Sequence, residues 1–238
     1  MLIGLLATTA ALALAALAPP KADAYGDFSN GVLTIPGGEG NIVPRCAADG
    51  EIIVSGLPVT NGPAYCRDLK RIVARVESLP ALFDFSQLPD DLGGGQGPIE
   101  IEATSGECCG EPPGDDKFIG AANHINIFDA GKGDDSVTGG NLNDTLGGGD
   151  GYDSVSGGGG DDTIKGGAGG DKASGGDGRD HVFGGGASDK LLGDAGSDWL
   201  YGGGAADKLL GGLGGDRLFG GGASDKLVGG PGKDSEKQ

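Results

Sequence analysis

Gly157-Gly158-Gly159-Gly160-Asp161-Asp162-Thr163-Ile164-Lys165 decides how the second half of this chain is built. Four glycines precede an aspartate, and an apolar residue follows two places later. The aspartate then recurs every nine residues, at positions 135, 144, 153, 162, 171, 180, 189, 198, 207, 216, 225 and 234. The apolar residue follows in step as Val137, Leu146, Val155, Ile164, Ala173 and Leu191. A register this strict means one small structural unit stacked on itself. The glycine half suits turns, because glycine favours positive φ and weakens helices. The Asp-x-apolar half alternates as a short strand does. One unit cannot bury its single apolar side chain, but stacked units can.

The turns point to a cation. Stacked strands lie about 4.8 Å apart, so a column of aspartates brings like charges close together, which disfavours ionisation. A hard divalent cation removes the conflict. Calcium takes roughly six to eight oxygens from carboxylates and carbonyls in flexible geometry. Histidine and cysteine hold no repeating position, which disfavours zinc and softer metals.

These residues resemble the RTX, or hemolysin-type, repeat G-G-x-G-x-D-x-apolar-x. The fullest copies are Gly157 to Lys165, Gly175 to Phe183 and Gly211 to Phe219. The resemblance implies an all-β fold, a right-handed parallel β-roll or β-helix solenoid in which two nonapeptides make one turn. It also implies calcium between loops two repeats apart. The ligands would be Asp135, Asp144, Asp153, Asp162, Asp171, Asp180, Asp189, Asp198, Asp207, Asp216 and Asp225. Carbonyls would come from Gly131, Gly133, Gly149, Gly151, Gly158, Gly160, Gly167, Gly169, Gly176, Gly178, Gly212 and Gly214. Alternate aspartates fall on opposite edges of such a roll, giving five gaps per edge and about ten calcium ions at most. A net charge of −18 is close to what ten such ions would neutralise. Without calcium the repeat region is expected to be largely unfolded, since metal binding and folding are one process in such systems.

Some copies depart from the motif. Ala187, Ala205 and Ala223 replace its third glycine on one edge, which predicts strain and weaker sites beside them. Leu142 replaces the same glycine and Asp194 the second one on the other edge. Glu236 stands where an apolar residue belongs, so the roll is expected to stop at about Gly232, leaving Asp234 a doubtful ligand. The domain reading is therefore 130–234 for the roll and 235–238 for a tail. Residues flanking the buried position should point outward. They form a lysine column (Lys172, Lys190, Lys208, Lys226) and an aromatic surface around Trp199 and Tyr201. That aromatic surface is a candidate contact for protein, glycan or a second copy.

Residues 1–18 are an apolar run followed by Pro19-Pro20 and Ala22-Asp23-Ala24. This reads as a signal peptide cleaved after Ala24 and hence as an extracellular protein, although no basic residue precedes the run. A retained membrane anchor is the alternative. Cys46, Cys66, Cys108 and Cys109 suit an oxidising compartment. They allow three complete pairings, of which one joins Cys46 to Cys66. Short strand-like runs over 31–35, 51–55, 71–77 and 99–103 suggest that residues 25–129 are a degenerate, disulfide-containing cap of the same solenoid. A separate small β domain is the alternative. The nine-residue apolar spacing extends back through Phe128 to Ile119.

No enzyme is expected. The two histidines, His124 and His181, lie far apart in sequence, and H-E-x-x-H, G-x-S-x-G and P-loop motifs are absent. A pI near 4.2 argues against nucleic acid. The remaining readings are a secreted calcium-dependent structural or adhesive scaffold and a calcium-responsive folding and export module. An accessory domain of an extracellular enzyme system is a further alternative.

Overall fold

The structure, a computed structural model, describes residues 26–29, 32–35, 44–46, 52–54, 59–60, 70–76, 82–86, 88–89, 98–105 and 114–238. The expected signal peptide at 1–24 and three of the cysteines lie outside these residues, as do the side chain of Cys46 and therefore the disulfide pairing. Among the described residues every regular element is a strand. None forms a helix long and apolar enough to cross a membrane.

The strands alternate between two parallel sheets. One sheet runs from Ser235–Lys237 back through Arg217–Gly221, Trp199–Gly203, His181–Gly185, Thr163–Gly167 and Thr145–Asp150. It continues through Ile125–Lys132, Glu100–Ser105 and Arg71–Val76 to Val32–Ile35. Gly26–Ser29 pairs with this last strand antiparallel. The other sheet runs from Lys226–Val228 through Lys208–Leu213, Lys190–Gly196, Lys172–Gly178 and Ser154–Gly159 to Ser136–Thr138, Lys117–Ile119 and Leu82–Asp84. Two nonapeptides make each turn, so partners in a sheet differ by 18 residues, as in Val155↔Ala173 and Leu146↔Ile164.

The core is a double file of single side chains. Val137, Val155, Ala173, Leu191 and Leu209 line one sheet, and Leu146, Ile164, Val182, Leu200 and Leu218 line the other, all at most 2 % exposed. In these strands only one apolar side chain faces inward, beside buried glycines. Toward the N-terminus phenylalanines fill the interior. Phe83 stacks on Phe118 at 4.3 Å, and Phe85 on Phe128 at 5.7 Å between ring centroids. The same two sheets therefore carry the stack from the strict repeats into residues 71–132.

Two register expectations are corrected. Phe118, not Ile119, is the inward residue, because Val137 pairs with Phe118 and Thr138 with Ile119. That turn contains one residue more than the others, which moves the inward position back by one. Nor does the roll stop at Gly232. Ser235–Lys237 pairs with Arg217–Gly221, placing Glu236 beside Leu218. The Glu236 side chain is exposed, and its carboxylate accepts the Gly229 N–H at 2.7 Å.

Outside the sheets the side chains stack in columns. Phe183, Tyr201 and Phe219 stack face to face, with centroids 4.9 Å apart and planes 6° from parallel. His181 stacks on Trp199, and the Arg217 guanidinium lies 4.6 Å over the other end of that column, against the same indole. Trp199 and Tyr201 thus use their ring faces within the roll and present their edges outward.

Candidate metal centre

Each repeat aspartate sits where a turn enters a strand, and its side chain points back into the stack. Its Oδ1 accepts the backbone N–H of the aspartate one turn earlier. Asp144 N–H donates to Asp162 at 2.7 Å, Asp162 to Asp180 at 2.8 Å and Asp180 to Asp198 at 2.9 Å. The opposite edge repeats the pattern from Asp135 through Asp153, Asp171, Asp189 and Asp207 to Asp225. The aspartate carbonyl is used as well, since Asp162 O accepts the N–H of His181 one turn later. Asp234, doubted as part of the series, accepts the Asp216 N–H in the same way.

Oδ2 is left over. It is buried without a hydrogen-bond partner in Asp135, Asp153, Asp162, Asp171, Asp180, Asp189, Asp198, Asp207, Asp216 and Asp225. These are ten of the eleven aspartates expected to bind metal. A buried carboxylate oxygen without a partner is costly, and here the cost recurs at every turn. Desolvation pushes the carboxyl groups up, and neighbouring aspartates add to it. Asp162, Asp135 and Asp198 rise to about 7, and Asp153 and Asp189 to about 6.

What surrounds Oδ2 is backbone carbonyl. A Cβ placed on Gly166 would meet Asp171 Oδ2 at 2.5 Å and Gly184 O at 2.7 Å, so these two oxygens line one small space. The same meeting recurs at Gly157, Gly184, Gly193, Gly202 and Gly211. Glycine is needed there for room rather than for φ. At Gly211 the facing carbonyl, that of Gly229, already accepts the Gly212 N–H at 2.8 Å. The oxygen left without a donor is therefore Oδ2, and an acceptor-only carboxylate oxygen beside a carbonyl suits a hard cation. No three His, Cys, Asp or Glu side chains converge among the described residues, so carbonyls must complete any ligand set.

The family profile described as RTX calcium-binding nonapeptide repeat (4 copies) matches this chain in overlapping segments from 113–146 to 201–235. Together they cover more than half of its length. The chain belongs to the RTX calcium-binding repeat family. Neither the curated proteins nor the solved structures compared with it gave a match. As an RTX protein it is a calcium-binding repeat protein, and the unpartnered oxygens of its roll fit that ion.

Asp144 is the expected ligand that fits least. Its Oδ2 accepts the Gly140 N–H at 2.6 Å, so it already has a donor. Leu142 stands in that loop where other turns have glycine, and Gly140 does not take the positive φ of Gly158 and Gly176. Asp194 does take it, with φ 72°, and so does the work of the glycine it replaces. Two polar residues at the front of the ladders were not among the expected ligands. Asp116 N–H donates to Asp135 Oδ1, and Asn126 N–H to Asp144 Oδ1. Asn126 sits one turn before Asp144, and its neutral amide donates to the carbonyls of Ala121 and His124. Their sequence signals were Asp116-Lys117-Phe118 and Asn126-Ile127-Phe128, each a polar residue two places before an inward apolar one.

The expected carbonyl donors divide by edge. On the edge of Asp171 the carbonyls of Gly149 and Gly167 already accept the N–H groups of Ala168 and Gly186 one turn later. There the strands end at the second glycine of the motif, as in Thr163–Gly167 and His181–Gly185. On the edge of Asp180 they continue to the third, as in Lys172–Gly178 and Lys190–Gly196. At this third position a Cβ on Gly151 or Gly178 would fall onto the carbonyl of Gly133 or Gly160, so the backbones of successive turns are in close approach. Alanine cannot follow that path. The strain expected at all three alanines is found only at Ala223, with φ 66°, while Ala187 and Ala205 avoid positive φ through the altered loop. The glycines closest to Oδ2, at the first motif position, were not among the expected ligands. Their signal was an unbroken series from Gly139 to Gly229 at every ninth residue.

Proposed function

We propose that this chain is a secreted calcium-folded scaffold, a structural or adhesive protein rather than an enzyme. The observation that carries this reading is the set of ten buried, partnerless Oδ2 atoms. They oppose folding at neutral pH until a cation reaches them, so the roll assembles where calcium is abundant, outside the cell, after export. The binding energy of the ions then becomes folding energy. We infer up to about ten ions. The tighter class lies on the edge of Asp162, Asp180, Asp198 and Asp216, where glycine keeps the third motif position in Gly160, Gly178, Gly196 and Gly214. The weaker class lies beside Ala187, Ala205 and Ala223.

The non-enzymatic reading is supported by the occupations of both histidines. His124 is buried, with its ring nitrogens at the Ile99 N–H and the Pro89 carbonyl. His181 stacks on Trp199. A partner at Trp199 and Tyr201 would meet ring edges rather than faces, which suits a protein or a second copy better than a stacked sugar.

The test is far-UV circular dichroism of the chain titrated with Ca²⁺, Mg²⁺ and EDTA. A cooperative gain of β signal with Ca²⁺ alone is expected. A spectrum indifferent to all three would overturn calcium-driven folding.

A further inference from the structure

Lys172, Lys190, Lys208 and Lys226 occupy one register position on consecutive strands of the eight-stranded sheet. All four are exposed, and none joins an ion pair among the described residues. Strands in a sheet lie about 4.8 Å apart, and like charges directly opposite each other are destabilising. The chain has 35 acidic residues against 17 basic ones, yet places four of its cations in one line, each just after a ladder aspartate but in no ion pair with it. Two residues along each strand runs a second column, Ser174, Leu192, Leu210 and Val228. Leu192 and Leu210 are half-buried and Val228 is 40 % exposed. The two preceding strands of the same sheet carry Ser136, Thr138, Ser154 and Ser156 at these two positions, and the strand before those carries Lys117 and Ile119. The face thus changes from small and polar to a cationic stripe beside an apolar one, both parallel to the roll axis. Asp194 lies two residues beyond Leu192 on the same strand, and its Oδ2 is held by the Ser174 hydroxyl.

We propose that this face binds a linear acidic polysaccharide with one carboxylate on each sugar. Such a polymer is extended over several sugars, so the carboxylates it turns toward this face can pair with lysines along the line. The apolar column receives the C–H faces of the rings. Nucleic acid fits less well. It favours aromatic stacking platforms, and in this roll the aromatic columns lie on the other sheet with their faces already stacked. The proposal rests on the reading of the chain as a calcium-folded extracellular scaffold.

The experiment uses the full chain in calcium, with circular dichroism first establishing the fold. Binding of a fluorescent oligogalacturonate, too short to gel and long enough to span the four lysines, is followed by anisotropy. The fully methyl-esterified oligomer, single-stranded DNA and anionic lipid vesicles are the comparison probes. The Lys190→Glu/Lys208→Glu variant changes two exposed side chains that form no ion pair among the described residues, and its calcium-induced circular dichroism is checked against that of the parent chain. The expected result is binding of the free acid that weakens with salt, no binding of the ester, and a loss of about tenfold or more in the variant. The proposal is overturned by equal binding in the variant, by equal binding of the ester, by no binding to the folded chain, or by tighter binding of DNA or vesicles. A chain that fails to gain β signal with calcium would instead overturn the scaffold reading itself.

Discussion

Protons should replace calcium in holding the roll together. In the folded state burial lifts the Asp162 carboxyl from 3.8 to about 7, as the unpartnered Oδ2 and its aspartate neighbours make ionisation costly. The sign follows directly. The folded chain binds more protons than the unfolded chain between these two values, so stability falls as pH rises through that window. At about 1.4 kcal/mol per pKa unit, Asp162 alone opposes the metal-free fold by up to about 4 kcal/mol at pH 7 and above. Asp135 and Asp198 are lifted equally and Asp144, Asp153 and Asp189 to about 6. A typical domain has about 5–15 kcal/mol in total, so a few such groups suffice to unfold a metal-free roll at neutral pH. The assay is far-UV circular dichroism in EDTA as the pH is lowered from about 8 to about 5, with sedimentation to exclude aggregation near the pI of about 4.2. The β signal should rise through the range where these carboxyls protonate, while in saturating calcium it stays constant. A metal-free chain already fully folded at pH 8, or one that gains no β structure on acidification, would refute the reasoning.

Asp162→Asn should act with opposite signs in the two states. It removes a buried charge and so stabilises the metal-free roll at pH 7 by up to a few kcal/mol, but it lowers the number of calcium ions bound in equilibrium dialysis. Gly214→Ala should cost about 3 kcal/mol or more, since φ is +137° and the new Cβ would fall on the Gly196 carbonyl. Gly186→Ala should change the calcium-loaded melting temperature little, because nothing lies within 4 Å of its Cβ position. Equal shifts in these two variants would count against the stacking path described for the loops. Tyr201→Ala removes two ring stacks and should lower the stability of the calcium form by about 1–3 kcal/mol, read from denaturant melts. No change there would mean that the column is ornamental to the fold.

The eighteen-residue turn, the two edges and the inward column were legible because period and residue type carried them together. Val155 and Asp153 announce their own positions at every ninth step. The extra residue between Phe118 and Val137 was not legible, because Phe118-Ile119 offers two adjacent apolar residues and only packing selects the inward one. The final strand was missed for a related reason. Glu236 breaks the apolar pattern, yet its strand still pairs with Arg217–Gly221 because the backbone ladder does not need an apolar side chain there. At the metal centre the aspartates were evident, while the first-position glycines were read only as turn formers. Their need for space beside Oδ2 appears only when neighbouring turns are set against each other. The outward aromatics were recognised as exposed, but their stacking depends on the side chains one turn above and below.

The aspartate ladders also give the roll a direction in time. Each carboxylate reaches back to the N–H of the preceding turn, as Asp180 does to Asp162. A turn is therefore latched by the one that follows it. For a chain emerging N-terminus first, the newest turn is bonded to the one before it but lacks this carboxylate contact until another eighteen residues arrive. The carboxylate contacts of the roll thus form one turn behind the backbone that carries them. Among the described residues Asp234 supplies that contact to Asp216, and the Gln238 amide oxygen does the same for Asp225.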